Sequence, residues 1–516
     1  MELWAAACLA CLAALCFALC QIVLSIAAGR WKLRHLPGAP THLFFGSLDI
    51  WPRKAIEAGR KWRSEHGDVV KFFLGARPMV MLHDPDHVGQ VLKTLSAFPG
   101  RFLATNVEGK IPSMLAVEGP LWKFLRNSTA PIFFKSKLAR FTSVVEKCAG
   151  AMVRQMGVDG GAGKSVEVLE AFRLMTLDII GTVAFGVEIN AIKDDTGEFG
   201  RVLRDFLQAA RTMVSRGGMP FMVMRALGSM GLQLPPLVVQ RLPIAQPLKR
   251  CAQLINLTIT SIVKSRRKEP AMEDKAKRDF ITLMIEARER ESGRALNDLE
   301  IMYNSRLFLI AGHETTAGTL AIFLYHVTRH PEVQKKILEE VDRLNDGSPL
   351  AYESLEKYQY MEMALNESMR MLSVVPMLSR MAKRDFHLGG TVLIPNGTAV
   401  IVPVHLLHHD AKLWGDPENF RPERFDPNSD ECRQRNPHAF VPFGGGPRVC
   451  IGLKFAVMEM LLVLIMLYRQ YTFSLDISRT SVPLKYTSSL TIEPMDGIHL
   501  HVHKRENGRD VGVKAT

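Results

Sequence analysis

Phe443-Gly444-Gly445-Gly446-Pro447-Arg448-Val449-Cys450-Ile451-Gly452 places one cysteine in a glycine-rich loop, with an arginine two residues ahead of it and an apolar helical pattern after it. The glycines and the proline allow a tight bend and close approach of a flat ligand. A helix starting near Gly452 aims its positive end and free N–H groups at the sulfur, which favours thiolate. A soft anionic ligand so placed suits an iron macrocycle. Alone, the loop fits a buried structural cysteine as well; the rest of the chain decides between the two.

Working outward, the helical pattern upstream from Asn297 to Arg329 is long enough to cross a whole domain, and His330-Pro331 stops it. Asn297 with Glu300 forms a capping-box pattern at its start. Its middle reads Ala311-Gly312-His313-Glu314-Thr315-Thr316, an acid and two hydroxyls in an apolar setting that must find partners. Gly312 allows close approach of a flat group, and Thr315 can bond back to a carbonyl and bend the helix. Ala317 stands where a zinc H-E-x-x-H motif needs histidine, and His326 with His330 reads as a solvated helix end. Glu367 and Arg370 are three apart on another helix and can pair; on spacing alone they read as a surface ion pair. Phe420 to Phe425 reads as a loop.

The chain has 516 residues, a 47% hydrophobic share and a formal charge of +13 without a dense basic run. That balance favours a membrane surface or an acidic protein over nucleic acid. Of eight cysteines, four lie in the N-terminal apolar run and the others are far apart. No disulfide framework or zinc site follows, and a reducing compartment is expected. Leu3 to Ala28 is apolar but for Gln21 and Ser25, and Arg30, Lys32 and Arg34 follow at once. That is the pattern of an uncleaved anchor with the bulk of the chain in the cytosol. Asn127, Asn256, Asn366 and Asn396, all in N-x-[ST] sequons, would then stay unmodified.

Leu36 to Pro40 reads as a stiff linker, and Asp68–Phe73 with Met79–His83 as a hairpin. Pro85 to Arg329 reads as largely helical. Gly157 to Ser165 resembles a phosphate loop but has Val158 where the pattern needs glycine, so a surface loop is expected. The Met-rich stretch Met219–Leu237 reads as core or as a mobile flap, and Lys268–Arg294 as a charged, solvated segment. Val392–Val404 reads as strands around an Asn396-Gly397 turn, and Ser488–His503 as a final hairpin.

Together these stretches resemble the cytochrome P450 superfamily of haem-thiolate monooxygenases, from the anchor to the last hairpin. The cysteine loop matches F-x-x-G-x-R-x-C-x-G at Phe443, Gly446, Arg448, Cys450 and Gly452; Ala456 and Glu459 extend the match. Ala311 to Thr316 matches [AG]-G-x-[DE]-T-[TS], and Glu367 with Arg370 matches E-x-x-R. Arg424 supplies the arginine of the P-E-R-F loop, and Trp122 with Arg126 matches W-x-x-x-R.

The resemblance implies a mainly α fold with small β-sheets after a single transmembrane helix, divided as anchor 1–29, proline-rich linker 30–45 and haem-binding catalytic domain 46–516. It implies Cys450 as axial ligand to the iron of haem b, with Phe443 beside the sulfur and Gly446, Gly452 and Gly312 allowing close approach. Arg448, Arg126, Trp122 and Arg380 would hold the propionates. Thr315 would hydrogen-bond oxygen, Glu314 would relay protons, and Glu367, Arg370 and Arg424 would form a structural triad. The reaction implied inserts one atom of O₂ into a lipophilic substrate, using electrons from NADPH through a separate reductase. No flavin or nicotinamide fingerprint occurs in this chain. The setting implied is the endoplasmic reticulum membrane, single-pass, with the catalytic domain in the cytosol, touching membrane lipid and no nucleic acid. A haem-thiolate isomerase or dehydratase acting on peroxides is the alternative, and the retained Glu314-Thr315 pair speaks against it. Residues near Pro112–Val117, the Met-rich stretch, Phe308 and Leu309, Val374–Leu378 and Ser488–Leu490 are expected at the pocket, and Arg211 or Arg216 could anchor a carboxylate.

Overall fold

The computed structural model describes residues 2–42, 44–47, 55–102, 112–193, 198–216, 246–268, 279–288, 293–488 and 491–506. Glu2–Lys32 is one helix, α1. Its last turns are fastened to the body: Ile22 and Ile26 pack with Ala76, and a side chain at Gly29 would strike the Ala76 carbonyl. Lys32 Nζ donates to Asn396 O at 3.0 Å.

After α2 (Ala55–His66) come β1 (Val69–Leu74) and β2 (Arg77–Leu82), the expected hairpin. Then follow α3 (Pro85–Lys93), α4 (Gly119–Thr129), α5 (Lys135–Asp159), β3 (Ser165–Glu167), α6 (Val168–Phe185), α7 (Glu198–Arg216) and α8 (Gln246–Lys268). Helix starts are set by local chemistry: Asp84 accepts from the His87 N–H, and Glu167 from those of Leu169 and Glu170. α9 (Phe280–Glu286) leads to the long helix α10 (Asp298–Thr328), opened by the expected Asn297–Glu300 capping box. α11 (Pro331–Leu344) and α12 (Gln359–Met371) precede β4 (Leu378–Met381), β5 (Phe386–Leu388), β6 (Val392–Ile394) and β7 (Ala399–Val402). Beyond the cysteine loop run α13 (Leu453–Gln470), β8 (Tyr471–Leu475), β9 (Tyr486–Ser488), β10 (Ile492–Pro494) and β11 (His499–Lys504).

The architecture is mainly helical with small sheets. Helices α5, α6, α10, α12 and α13 bury one continuous apolar core. A second core lies under the mixed sheet β1-β2-β7-β4, in which β2 and β7 run parallel. Among the described residues, α10 is the helix whose length and apolarity would suit a bilayer, but the body buries it, so it serves as the spine of the core.

Several expectations need correction. β6 and β7 do not pair across Asn396-Gly397; β6 pairs with β5, and β7 joins the large sheet. The C-terminal run forms no single hairpin, because β10 pairs with β9 while β11 pairs with β8 and β3. Lys268–Arg294 includes α9, whose Phe280, Ile281 and Met284 are core residues. Gly157 and Val158 belong to the last turn of α5 rather than to a loop, and Pro422–Phe425 forms a short 3₁₀ turn. His326 is no solvated end: its Nδ1 lies 2.9 Å from Ser368 Oγ and its ring stacks on Phe420. Met219–Leu237, Ser489 and Leu490, and the side chains of Arg211 and Arg216 lie outside the described residues.

Candidate functional site

The cysteine loop bends where expected. Gly444 and Gly446 take φ of +77° and +64°, and a Cβ on Gly446 would sit 2.0 Å from the Leu92 carbonyl of α3. The Cys450 N–H donates to Phe443 O at 3.0 Å, closing the loop over the half-buried Phe443 ring. Gly452 caps α13.

Cys450 presents an open surface, yet desolvation raises its thiol pKa, with the Gly452 N–H, Arg101 and Arg126 pulling it back down. These fit together if the opening is a recess inside the molecule. Burial outweighs the helix end and the two arginines. A thiol so placed needs a bound cation to stay deprotonated.

Around the recess stand Arg101, Arg126, Arg380 and Arg448. Burial first, then mutual repulsion, lowers Arg380 to about 9 and Arg448 to about 10, and burial lowers Arg101 and Arg126 as well. Among the described residues no carboxylate lies within ion-pair distance of any of them; Glu118, the nearest acid felt by Arg448, pairs with Lys383 at 3.3 Å. Arg448 stands 4.5 Å over the Trp122 ring, donates to Val117 O at 2.6 Å, and keeps its buried Nε unpaired. Four desolvated guanidinium groups without an acid constitute a receptor for an anion. Arg101 was not legible in the sequence: it follows Pro99-Gly100 and belongs to no motif, and only the Arg101 Nη2 bond to Arg448 O at 3.0 Å brings it in. An open thiol facing unpaired arginines is the donor set that a carboxylate-bearing iron macrocycle requires, so the residues present fit haem.

α10 carries the acid–threonine pair. Ile310, Ala311 and Thr315 leave part of their surface open, whereas Phe308 and Leu309, expected at the pocket, are core residues, Phe308 packed edge-on to Phe133 and Phe280. The Thr315 hydroxyl donates to Ala311 O at 2.6 Å. The position a side chain at Gly312 would occupy faces Ile180 of α6 at an ordinary contact distance of 3.4 Å, so packing against α6 does not by itself demand glycine. Arg173 of α6 grips Glu314, with its Nε and Nη2 3.2 Å from Oε2, and Nη2 also reaches Glu493 Oε1 of β10 at 2.8 Å. Burial works against the Arg173 charge, but the two carboxylates prevail and its pKa is raised.

The strap from Pro112 to Val117 is tied from two sides. Asn304, fully buried on α10, accepts from the Met114 N–H at 2.9 Å and donates to Pro112 O at 3.2 Å and Glu300 O at 2.7 Å. Arg448 holds the other end. Leu115 on this strap is 38% exposed and Ile310 on α10 is 39% exposed, so both elements present apolar surface.

Behind the cysteine loop, Glu367, Arg370 and Arg424 are all 0% exposed. Arg370 grips Glu367 with two bonds of 2.7 and 2.8 Å and donates to His408 O at 2.8 Å. Arg424 reaches Glu367 Oε1 at 3.3 Å, Trp414 O at 2.5 Å and the Asp416 carboxylate. The surface-pair reading of Glu367 and Arg370 is thereby replaced by a buried brace.

Comparison with known proteins agrees in kind. The family model for cytochrome P450 matches residues 36–500. The chain is 30% identical over 490 residues to cytochrome P450 3A6 of Oryctolagus cuniculus, covering 93% of each. It is 31% identical over 493 residues to cytochrome P450 3A12 of Canis lupus familiaris, again 93% of each, and 30% identical to cytochrome P450 3A28 of Bos taurus over 94% of this chain and 93% of the relative.

Proposed function

This chain belongs to the cytochrome P450 family and is a haem-thiolate monooxygenase that uses O₂, and from that premise we propose how its own residues do the work. Cys450 is the iron ligand. Arg101, Arg126, Arg380 and Arg448, with Trp122, hold the two propionates, and Phe443 keeps water from the sulfur. The bound haem supplies the oxygen-activating redox chemistry. The single observation that carries this assignment is the set of four desolvated arginines without an acid facing an open cysteine.

Thr315 and Glu314 manage protons. The Thr315 hydroxyl spends its proton on Ala311 O, so it accepts from a group in the recess; to donate, it must release that carbonyl. Glu314 passes a proton only after its carboxylate turns away from Arg173. Glu367, Arg370 and Arg424 act as the brace that holds the loop of Cys450.

The substrate is lipophilic, as the apolar strap and Ile310 suggest. Electrons come from NADPH through a separate reductase, for which the +13 charge offers an acidic partner a docking field. Residues 1–29 anchor the chain in the endoplasmic reticulum membrane, 30–45 link, and 46–516 form the cytosolic catalytic domain. Because Ile22 and Ile26 are covered by the body, the lipid-crossing part is Leu3 to Gln21, about 30 Å of helix, which matches the hydrocarbon core. Leu9, Leu12 and Phe17, all exposed, then face lipid.

The test is direct. Reduced protein under carbon monoxide should show the red-shifted band of a thiolate ligand, and Cys450→His should abolish it while retaining haem. With reductase present, a lipophilic substrate should drive NADPH and O₂ consumption with one oxygen atom in the product. Peroxide conversion without reductase would instead support the isomerase.

A further inference from the structure

Glu314 has to be resupplied with protons, and the structure offers a route on the side of α10 that packs against α6 and α7. On a helix, residues 313, 314 and 315 point about 100° apart, so His313 and Thr315 lie on nearly opposite faces with Glu314 between them. Thr315 keeps part of its surface open, whereas His313 is 3% exposed and turned toward α6 and α7. There His313 lines a small opening with Glu170 and Arg173 of α6 and Arg204 of α7; its space for a water centre is ≈ 10 Å³, about one water. Leu174, Leu177 and Leu207 wall it.

The opening reaches solvent at the exposed Glu170, whose carboxylate lies 3.6 Å from Arg173 Nη1. His313 Nδ1 is 3.7 Å from Glu314 Oε1, about half an ångström beyond a hydrogen bond, so a small turn of the carboxylate closes the gap. The charged groups facing the imidazole are therefore Glu170 and Arg173 from α6, Arg204 from α7 and Glu314 on α10, with Glu493 of β10 sharing Arg173. The two arginines hold their protons throughout and cannot relay them. The imidazole has two ring nitrogens, so it can take a proton at one and give it from the other.

We propose that His313 is the proton inlet of this enzyme, taking protons from the one-water opening between α6 and α7 and passing them to the Glu314 carboxylate. The inference rests on the monooxygenase reading of Glu314 above. Each turnover consumes one substrate molecule, one O₂, two electrons from the reductase and two protons, giving one hydroxylated product and one water. His313 gives its proton to Glu314 and is reprotonated through the opening, so it ends each cycle unchanged. It touches neither substrate nor haem and acts by positioning protons at Glu314.

Two measurements on the full-length, haem-loaded protein test this. Hydrogen–deuterium exchange at the histidine Cε1–H, read by mass spectrometry, should be faster at His313 than at His408, which is 0% exposed. Equal rates would overturn the water route, whatever the substrate. In turnover, His313→Phe should lower kcat about tenfold, below the usual 10²–10⁴ for a lost acid–base group because water leaks through. It should raise the solvent isotope effect and leave KM and the substrate-induced Soret shift unchanged. An unchanged kcat, or a lower kcat with an unchanged isotope effect, would sink the proposal. If the unaltered protein consumes no O₂ with any substrate and reductase, the monooxygenase reading of Glu314 fails instead, and the exchange result stands by itself.

Discussion

Two groups of desolvated arginines flank the cysteine loop, and they differ in one respect. Arg370 and Arg424 are wholly buried and wholly satisfied: Glu367 lies between them and backbone carbonyls take the remaining N–H groups. Arg101, Arg126, Arg380 and Arg448 are also desolvated, but other arginines stand where an acid should be. A desolvated charge with its partner is structure, and one without its partner is a binding site awaiting an anion.

Removing a guanidinium from the brace should have the largest effect. Arg370→Leu leaves the Glu367 carboxylate short of two bonds at 0% exposure, and breaking a buried pair costs about 3–5 kcal/mol. We expect denaturant unfolding to show that loss and the protein to retain little haem. If Arg370→Leu unfolds like the unaltered chain, the brace is not structural.

The brace also predicts an acid limit. Burial, with nearby cationic groups, lowers His326 and His408 to about 3, and both adjoin the triad: His326 meets Ser368, and the His408 carbonyl accepts from Arg370. Because the folded values lie below the ordinary one, their stabilisation is complete above about pH 6.5 and is lost as pH falls toward 3. Between pH 6.5 and 5 each should cost on the order of 2 kcal/mol, read by urea unfolding at the two pH values. A flat profile would mean that water reaches these rings.

Asn304 sharpens the comparison from the recess side. Asn304→Leu strands the Met114 N–H and the Pro112 carbonyl, at a cost of about 1–3 kcal/mol. The brace is untouched, so haem retention should persist while the strap loosens, and substrate-induced Soret shifts should weaken. Unaltered substrate binding would show that the strap does not shape the pocket.

How much of this was legible in the sequence follows the same division. The cysteine loop, the acid–threonine pair and Glu367–Arg370 are short-range patterns whose residue types carry the chemistry, so they could be read in place. Arg101 and Arg173 could not: each acts through a partner hundreds of residues away or on another helix, and a single arginine has no spacing to betray it. Strand pairing failed for a related reason. Alternation marks β6, β7 and β11 as strands but says nothing of which strand each will meet. His326 was misjudged because Phe420, from a loop far along the chain, covers what looked like a free helix end.

The smallest effect is the most diagnostic, because its sign should reverse. Arg380 is 3% exposed, donates to Ser379 O, and is depressed to about 9 by burial and by Arg101 and Arg448. A base whose folded value lies below its ordinary one penalises the fold fully at every pH below that folded value, and the penalty fades as pH rises from about 9 toward the ordinary guanidinium range. At pH 7 the haem-free protein therefore carries the whole penalty. Arg380→Leu removes the charge and leaves an apolar chain, so the haem-free form should hold its stability or gain about 1 kcal/mol. The haem-bound form should lose, because a propionate then lacks its cation, and haem transfer to an acceptor protein should quicken. Opposite signs in the two forms identify a receptor arginine. Loss in both would make Arg380 a second brace and erase the distinction between the two groups.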